Sequence, residues 1–328
     1  MRKYRWGILA PGTITNKFVA GLAIIPDAVL YAVGSRDKRR ADEFAQKYGF
    51  EKAYGSYAEL VADPLVDVIY VATPHPYHEE AAVLCMKNGK AVICEKPIAV
   101  NARQTERMVR CARENNVFLM EAMWTRFLPT ICKTRELIAS GAIGNVRHVC
   151  ADFGFRTAVN PEGRLFAPAL GGGSLLDVGV YNLSFCSMIF GKQPDDVQSH
   201  MVIGSTGVDE ECSLLLKFKE GRSALLYSAI RVSTPQDARI YGEDGRIELL
   251  NYWHGNNIVL YSNNEKQEFN LPFTASGFQF EALEVMRCLS EGLKESPIMP
   301  LDESLSVMKI ADRIRKENKL KYTYDEDQ

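Results

Sequence analysis

A lysine and an acidic residue stand at the end of an apolar segment, where Ala91-Val92-Ile93 runs into Cys94-Glu95-Lys96-Pro97. Parallel strands are buried on both faces, so charge is expected only where such a strand emerges at a ligand crevice. Pro97 disfavours helical geometry at Lys96 and keeps that residue extended at the strand end. We predict that Lys96 lies beside a bound cofactor and helps to move a proton, with Glu95 at the same site.

A second polar pair stands in an apolar segment that follows Gly171-Gly172-Gly173. Asp177 and Tyr181 are four residues apart, so on a helix they share one face. The three glycines permit a tight turn or the close approach of a ligand. A carboxylate and a phenol placed in this way suit proton transfer. The alternative is a buried pair that backbone groups satisfy.

A glycine-bearing turn, Ala10-Pro11-Gly12-Thr13-Ile14-Thr15, follows a predicted strand and opens a predicted helix. Aligned on the G-x-G-x-x-G/A pattern of dinucleotide-binding proteins, it keeps only the middle glycine, where the backbone must approach the pyrophosphate. A turn with one glycine is common, so the strand before it and the helix after it carry the prediction. The helix start supplies unpaired N–H groups for a diphosphate.

The end of the next predicted strand indicates which dinucleotide binds. An acidic residue there accepts hydrogen bonds from the ribose hydroxyls of NAD. This chain instead has Ser35-Arg36-Asp37-Lys38-Arg39-Arg40. A small serine and a guanidinium suit a 2′-phosphate, so we predict NADP, with NAD possible, and assign Ser35, Arg36 and Arg40 to the site. Asp37 is expected to cap the following helix.

A stiff turn, Thr73-Pro74-His75-Pro76-Tyr77-His78, follows the third predicted strand. We expect Thr73, His75 and His78 to line the cofactor there. The alternative for His78 is that it simply begins the next helix.

Strands alternate with helices up to about residue 120, which predicts right-handed βαβ units and a doubly wound parallel sheet. Later strands follow one another through short turns, which predicts a mostly antiparallel sheet. We therefore expect an α/β protein with a dinucleotide-binding domain over residues 1–122. A second α/β domain would cover residues 123–328, and its last helix, about 302–318, is a candidate to pack back on the first domain.

Composition narrows the class of protein. The chain has 328 residues, 46% hydrophobic and 24% charged, with a net charge of −2. This balance argues against a nucleic-acid or membrane-surface partner. We expect no apolar stretch long enough to span a bilayer, no signal peptide and a cytoplasmic location.

Eight cysteines form no C-x-x-C pair and mostly have apolar neighbours, which is typical of buried free thiols. His75 and His78 are spaced to share a metal ion, but no third ligand is near in sequence. We therefore predict no metal site.

Taken together, these features resemble the Gfo/Idh/MocA oxidoreductases, through the strand–glycine turn, the Glu95-Lys96-Pro97 triplet and the Gly-Gly-Gly…Asp177…Tyr181 segment. Most members have histidine where this chain has Tyr181. That tyrosine, together with Ala53-Tyr54-Gly55-Ser56-Tyr57, Phe118–Phe127 and Thr206-Gly207-Val208-Asp209, matches best the dimeric dihydrodiol dehydrogenase and NADP-dependent D-xylose dehydrogenase branch. The similarity runs from Trp6 to about Asn318.

The resemblance implies an NAD(P)-dependent dehydrogenase or reductase for a sugar, polyol or diol, in which Lys96, Asp177 and Tyr181 surround the substrate carbon and the nicotinamide. It also implies that Trp124 and Arg126 lie by the cofactor and that one face of the second sheet forms a homodimer. Substrate-lining positions are expected at Phe155, Arg156, Arg164 and Phe166. Two alternatives stay open: a dinucleotide-binding sensor without turnover, and an NAD-dependent glycosidase of the same family.

Overall fold

The computed structural model describes residues 2–191 and 193–325. The chain divides into two compact units. The first contains the described residues up to Trp124 together with Thr274–Leu305, and the second contains Thr125–Phe273 and the described residues from Ser306 onward.

The first unit is built on a six-stranded parallel sheet with the strand order β3-β2-β1-β4-β5-β6. Its strands are β1 (Tyr4–Leu9), β2 (Ala28–Gly34), β3 (Lys52–Tyr54), β4 (Val68–Val71), β5 (Ala91–Glu95) and β6 (Leu119–Ala122). Its helices are α1 (Thr13–Leu22), α2 (Lys38–Tyr48), α3 (Tyr57–Ala62), α4 (His78–Lys87) and α5 (Ala102–Glu114). The predicted doubly wound fold is confirmed.

Short-range signals set the ends of these helices. The Asp37 carboxylate accepts the N–H groups of Arg39 and Arg40 at 3.0 and 3.4 Å, so it caps α2 as predicted. Gly49, at φ +77°, ends the same helix in the left-handed conformation that glycine adopts without strain. Apolar packing holds α1 against the sheet, because the ring of Phe18 in α1 stacks on that of Tyr70 in β4 with the ring centroids 3.8 Å apart.

The second unit carries an eight-stranded sheet with the order β14-β13-β12-β11-β7-β10-β9-β8. All neighbours are antiparallel except β7 and β10. The strands are β7 (Val146–Gly154), β8 (Asp196–Ile203), β9 (Asp209–Lys217), β10 (Ser223–Ala229), β11 (Ala238–Gly242), β12 (Gly245–Leu249), β13 (Asn257–Ser262) and β14 (Glu265–Asn270). The helices are α6 (Pro129–Ala139) and α7 (Val180–Phe190), with a π-helical turn at Leu175–Gly179 before α7. The predicted mostly antiparallel sheet is confirmed.

Two faces of this second sheet differ in cover. Helix α7 packs against β7 and β10 on one face. On the other face, one row of side chains crosses five paired strands and lines an open cavity; it contains Gln198, Leu215, Leu225, Cys150 and Arg239. Leu225, at the middle of that row, is 49% exposed.

The segment that returns to the first unit is Thr274–Leu305, which contains helix α8 (Gln279–Ser290). Trp124 stacks on Phe278 with ring centroids 4.6 Å apart, and the Leu119 N–H donates to the Lys294 carbonyl at 3.1 Å. Helix α9 (Leu301–Glu317) begins in the first unit and belongs to the second unit beyond Leu305. The prediction was a first domain that ends at residue 122, with the last helix as the candidate segment to pack back on it. In the structure, the segment that belongs to the first unit is Thr274–Leu305.

One helical stretch in the described part of the chain, Pro168–Phe190, is long and apolar enough to cross a membrane. This corrects the expectation that every apolar stretch is too short. The stretch is 89% buried inside the protein, as the central helix of a packed core is.

Candidate functional site

The turn between β1 and α1 forms the first part of the candidate site. Ala10 adopts φ +69°, the left-handed conformation that the first glycine of the dinucleotide pattern normally supplies. Thr15 stands at the third glycine position and is fully buried. Its hydroxyl accepts the Gly12 N–H at 2.8 Å and donates to the Gly12 carbonyl at 2.6 Å. The two departures from the pattern therefore keep the backbone course of the turn.

Gly12 is the residue at which the turn leaves room for a ligand. A Cβ added there would meet no atom closer than the Ala10 carbonyl oxygen, at 4.0 Å. Gly12 also precedes the first turn of α1, which contains Thr13 and Ile14, and N–H groups at a helix start favour anions. Open space beside a helix N-terminus fits a dinucleotide pyrophosphate.

A cavity of about 180 Å³ lies beyond the end of β2 in the same unit. Its walls come from Arg36, Tyr57, Thr73, Pro74, Tyr77, Glu80, Ala81 and Leu84. The Arg36 guanidinium is a hydrogen-bond partner of the Tyr57 hydroxyl, and burial raises the pKa of Tyr57 while Arg36 partly offsets that rise. Arg36 is itself exposed, so its remaining donors are open to an anion.

Ser35 and Arg40 complete this region. The buried Ser35 hydroxyl accepts the Asp37 N–H at 3.2 Å, and Arg40 Nη2 donates to the Pro11 carbonyl at 3.3 Å. Arg40 therefore links α2 to the glycine turn. Glu80 is the acidic residue among the cavity walls, and its carboxylate is the feature that could instead bind ribose hydroxyls.

The Lys96 turn is supported by buried carboxylates. Glu95 is 6% exposed and accepts both the Tyr70 hydroxyl and the Lys96 N–H, the latter at 3.1 Å. Glu121, on the neighbouring strand β6, accepts the Ile98 N–H at 3.0 Å. Lys96 itself is half-buried and precedes a cis peptide bond to Pro97. The hydrogen bonds that Glu95 accepts from Tyr70 and from the Lys96 N–H give it a role in holding the turn.

His78 joins two turns of the first unit. It is completely buried, with Nδ1 2.8 Å from the Pro97 carbonyl oxygen and Nε2 2.7 Å from that of Thr73. Burial lowers the pKa of His78 to about 4, so the ring is neutral at pH 7 and donates through one nitrogen only. This environment favours a positioning role over direct contact with a ligand. The ring of His75, which is 7% exposed, lies edge-on to the His78 ring, with the ring centroids 5.7 Å apart.

The second unit holds Asp177 and Tyr181. Asp177 lies in the π-helical turn and is 5% exposed. Tyr181 is the second residue of α7 and is 7% exposed. Arg164 Nη1 donates to Asp177 Oδ1 at 2.6 Å, so a predicted substrate residue and a predicted catalytic residue form one ion pair. The Tyr181 ring packs on Phe153 with centroids 5.2 Å apart.

The remaining predicted site residues of the second unit differ in how far they are exposed to solvent. Arg126 is 3% exposed and donates to the Ser184 hydroxyl at 3.0 Å and the Ser184 carbonyl at 2.7 Å, which ties it to α7. Phe155 and Arg156 follow the end of β7 and are half-buried and exposed. Phe166 is 2% exposed, so its ring packs inside the loop and offers almost no surface to a ligand.

Sequence reasoning missed several residues around the candidate positions in each unit. Tyr57 follows β3, a strand of three residues without an apolar run, so neither its strand nor its approach to Arg36 was predicted. Phe153 packs on Tyr181 and also stacks on Trp253, with the Phe153 and Trp253 ring centroids 5.0 Å apart. The inward alternation along β7 was the available signal for Phe153; Trp253 comes from a turn and had none.

Comparison with protein families gives two matches. A model described as the Gfo/Idh/MocA oxidoreductase family, NAD-binding Rossmann fold, matches residues 4–123. The Gfo/Idh/MocA C-terminal domain matches residues 131–248.

Named relatives cover nearly the whole chain. Trans-1,2-dihydrobenzene-1,2-diol dehydrogenase of Mus musculus is 42% identical over 323 residues, which is 95% of this chain and 96% of that protein. The Homo sapiens protein of the same name is 40% identical over 326 residues, again 95% and 96% of the two chains.

Solved structures share the fold. An aldose-aldose oxidoreductase from Caulobacter crescentus has a TM-score of 0.89 at 24% identity and covers 97% of this chain and 98% of its own. A levoglucosan dehydrogenase complex with NADH and levoglucosan has a TM-score of 0.88 at 19% identity, with 98% and 99% covered. A 3-ketoreductase from Actinomadura kijaniata, in complex with NADP, has a TM-score of 0.84 at 23% identity, with 96% and 98% covered.

Proposed function

Because the chain belongs to the Gfo/Idh/MocA oxidoreductase family, we propose that it is an NADP(H)-preferring enzyme that interconverts an alcohol and a carbonyl group on a sugar, polyol or diol. One observation carries this assignment. Asp177 and Tyr181 are a carboxylate and a phenol, both more than nine-tenths buried in an apolar helical segment, and Arg164 holds the carboxylate. Proton transfer to or from a substrate oxygen explains such a pair better than packing does.

The bound nicotinamide would supply the hydride chemistry. The protein has to manage the proton. In the oxidative direction the ionised Tyr181 oxygen takes the proton of the substrate hydroxyl and becomes a neutral phenol, and in the reductive direction the phenol gives that proton to the forming alkoxide. Lys96, just past the end of β5, is assigned to the bound nicotinamide, where its positive charge would favour loss of a proton from the substrate hydroxyl. Asp177, fixed by Arg164, orients the substrate hydroxyl.

Two features support the preference for NADP. Arg36 faces the cavity at the end of β2, and no acidic residue stands where NAD-binding proteins of this fold have one. A guanidinium donates two parallel hydrogen bonds to phosphate oxygens, an arrangement that a neutral ribose hydroxyl cannot reproduce. Glu80 on the cavity wall is the observation that favours NAD as the second candidate.

The second unit indicates a ring-shaped substrate. The half-buried Trp253 stacks on Phe153, and the buried Phe153 ring packs on Tyr181, so Trp253 supplies the exposed part of this aromatic cluster. Asp177 and Arg164 supply charged groups to the same unit. Aromatic faces suit the apolar side of a cyclic molecule, and the charged groups suit its hydroxyls. The relatives named for a dihydrobenzenediol and the neighbour named for levoglucosan are consistent with cyclic diols and pyranoses.

A substrate panel tests the assignment. Aldoses, polyols and cyclic diols would be followed at the nicotinamide absorbance with NADP and with NAD, and we expect turnover with at least one class, faster with NADP. NADPH binding without turnover on any substrate would favour the sensor alternative. Release of an aryl leaving group from an aryl glycoside without net cofactor change would favour the glycosidase alternative.

The open face of the second sheet suits a second copy of the chain. Its exposed row contains Leu225 and the partly buried Leu215, and exposed apolar surface of this kind marks protein contacts. We expect a homodimer by sedimentation and expect Leu225→Glu to produce monomers. A wild-type protein that sediments as a monomer at micromolar concentration would refute this part.

A further inference from the structure

The helical segment that carries Asp177 and Tyr181 takes its N-terminal cap from another element. Ser174 precedes the π-helical turn, and its hydroxyl makes no bond to the helix's own N–H groups. Instead, the Ser174 hydroxyl and the Leu175 N–H both donate to Asp209 Oδ2, each at 2.7 Å. Asp209 is the first residue of β9, so a carboxylate from the sheet holds the start of this helix.

The donors that hold Asp209 in place are neutral groups. Asp209 is completely buried, and the donors that the described part of the chain gives it are a hydroxyl and a backbone N–H. Burying a carboxylate in this way costs free energy, and burial raises the pKa of Asp209 to about 7. Serine alone commonly caps a helix, so stability by itself gives no reason for the acid.

The glycine run is shaped to receive this carboxylate. Gly173 has φ +120°, and a Cβ there would lie 2.1 Å from Asp209 Oδ1 and 3.2 Å from the Tyr322 hydroxyl. The Tyr322 hydroxyl donates to the Gly172 carbonyl. The Asp177 N–H donates in turn to the Gly173 carbonyl at 3.3 Å. A chain of direct contacts therefore leads from Asp209 to the backbone of Asp177.

We propose that Asp209 is a positioning residue for the reaction, whose carboxylate fixes the start of the helix and thereby the placement of Asp177 and Tyr181. This inference rests on the proposed function of that pair. A displacement of about 1 Å in a reacting group can lower a rate roughly a hundredfold, so a cap at the first turn is a sensitive point of control.

The groups around Asp209 make its charge measurable. Cys212 on its own strand and Tyr322 from the C-terminal segment face it, and burial raises the pKa of both well above the neutral range. Arg315 pairs with Asp325 at 2.6 Å behind Tyr322 and stays charged throughout. Asp209 is therefore the member of this group that titrates near pH 7.

The test compares Asp209→Asn with Asp63→Asn, the same change at a buried aspartate of the first unit that accepts hydroxyl and backbone donors and also pairs with Lys52 at 3.0 Å. We expect Asp209→Asn to lower kcat at least tenfold, to leave the Kd for NADPH unchanged and to expose the Leu175 amide to hydrogen exchange. In the wild type, kcat should rise with pH through about 7, and the variant should lose that rise. Asp63→Asn should change none of these. A wild-type kcat and pH profile in Asp209→Asn, or unchanged protection of Leu175, would overturn the proposal.

Ser174→Ala covers the case in which Asp209→Asn does not fold. It removes one donor to the carboxylate and keeps the Leu175 N–H. We expect a several-fold lower kcat and a shift of the rising limb to higher pH, because the carboxylate loses a stabilising hydroxyl. An unchanged kcat and limb would refute positioning by Asp209. A wild-type enzyme without turnover would instead refute the proposed function.

Discussion

Arg164 donates to Asp177 across 2.6 Å, and the two residues differ sharply in exposure. The arginine side chain is 53% exposed, whereas that of the aspartate is 7% exposed. A largely buried carboxylate is thus held from the solvent side by a cation on a loop. Under the proposed function, a substrate that enters from solvent would contact Arg164 before it contacts Asp177.

Arg164→Ala should remove the ion pair that Arg164 makes with Asp177. We expect a higher KM for substrate and a lower kcat, with a combined loss in kcat/KM of roughly tenfold to a hundredfold, as loss of a charge-assisted hydrogen bond predicts. Steady-state kinetics measure this directly. Arg246→Ala is the control, because Arg246 pairs with Glu248 on the sheet. Equal kinetics for Arg164→Ala and the wild type would remove Arg164 from the site.

Gly12→Ala should separate cofactor binding from folding. A methyl group at Gly12 enters open space and its φ of −152° is accessible to alanine, so we expect an unchanged Tm. The methyl group would occupy the place expected for the pyrophosphate, so NADPH binding should weaken at least tenfold by fluorescence titration. Ala10→Gly is the control: it relieves a left-handed alanine and should keep or raise stability, with binding retained. Full binding by Gly12→Ala would displace the pyrophosphate from this turn.

Arg36→Ala should alter the choice of dinucleotide. Loss of the guanidinium removes the expected partner of the 2′-phosphate, so affinity for NADPH should fall tenfold or more while that for NADH changes little. Isothermal titration with both cofactors gives the ratio. Arg39→Ala, on the exposed side of α2 where it pairs with Glu43, should affect neither. Equal losses for NADPH and NADH would assign Arg36 to a feature that both cofactors share.

Asp209 should make stability depend on pH in a defined direction. Its pKa in the folded state, about 7, lies above the ordinary value of 3.8, so the folded state binds the proton more tightly. The free energy of unfolding should therefore fall as pH rises from about 4 to about 7, by an amount on the order of 4 kcal/mol. Urea unfolding at pH 5 and pH 8 should show the part of this fall that lies above pH 5 in the wild type, and a smaller fall in Asp209→Asn.

Asp63 supplies the opposite sign. Its hydrogen bonds with Tyr54, Tyr31, Lys52 and the Leu65 N–H hold the pKa below its usual range. Asp63 therefore stabilises the fold above pH 4, and that contribution is lost as pH falls further.

If Asp209→Asn and the wild type show the same change in stability between pH 5 and pH 8, the charge of Asp209 is not linked to folding.

Several features could be predicted because their signals are local. Asp37 and Gly49 mark the ends of α2 in the sequence itself, and the apolar run before Lys96 predicts the buried strand that ends at the lysine. The exchange of tyrosine for the usual histidine at Tyr181 indicated the family branch.

Other features depend on contacts between distant residues, which the sequence does not display. Asp209 lies 35 residues from Ser174, and the cap appears only when β9 pairs beside the helix start. His78 reads as a residue at a helix start, but its ring is engaged by the Pro97 carbonyl, 19 residues away. The return of Thr274–Leu305 to the first unit is likewise invisible in a chain without a linker.

The most direct measurement concerns Lys96 and Tyr181 together. Lys96→Met and Tyr181→Phe would be compared with the wild type by single-turnover kinetics at the nicotinamide absorbance, on whichever substrate the panel identifies, with NADPH binding measured in parallel. We expect both variants to lose turnover by about a thousandfold or more while they retain dinucleotide binding. Near wild-type turnover in either variant would contradict the assignment of proton transfer to this pair.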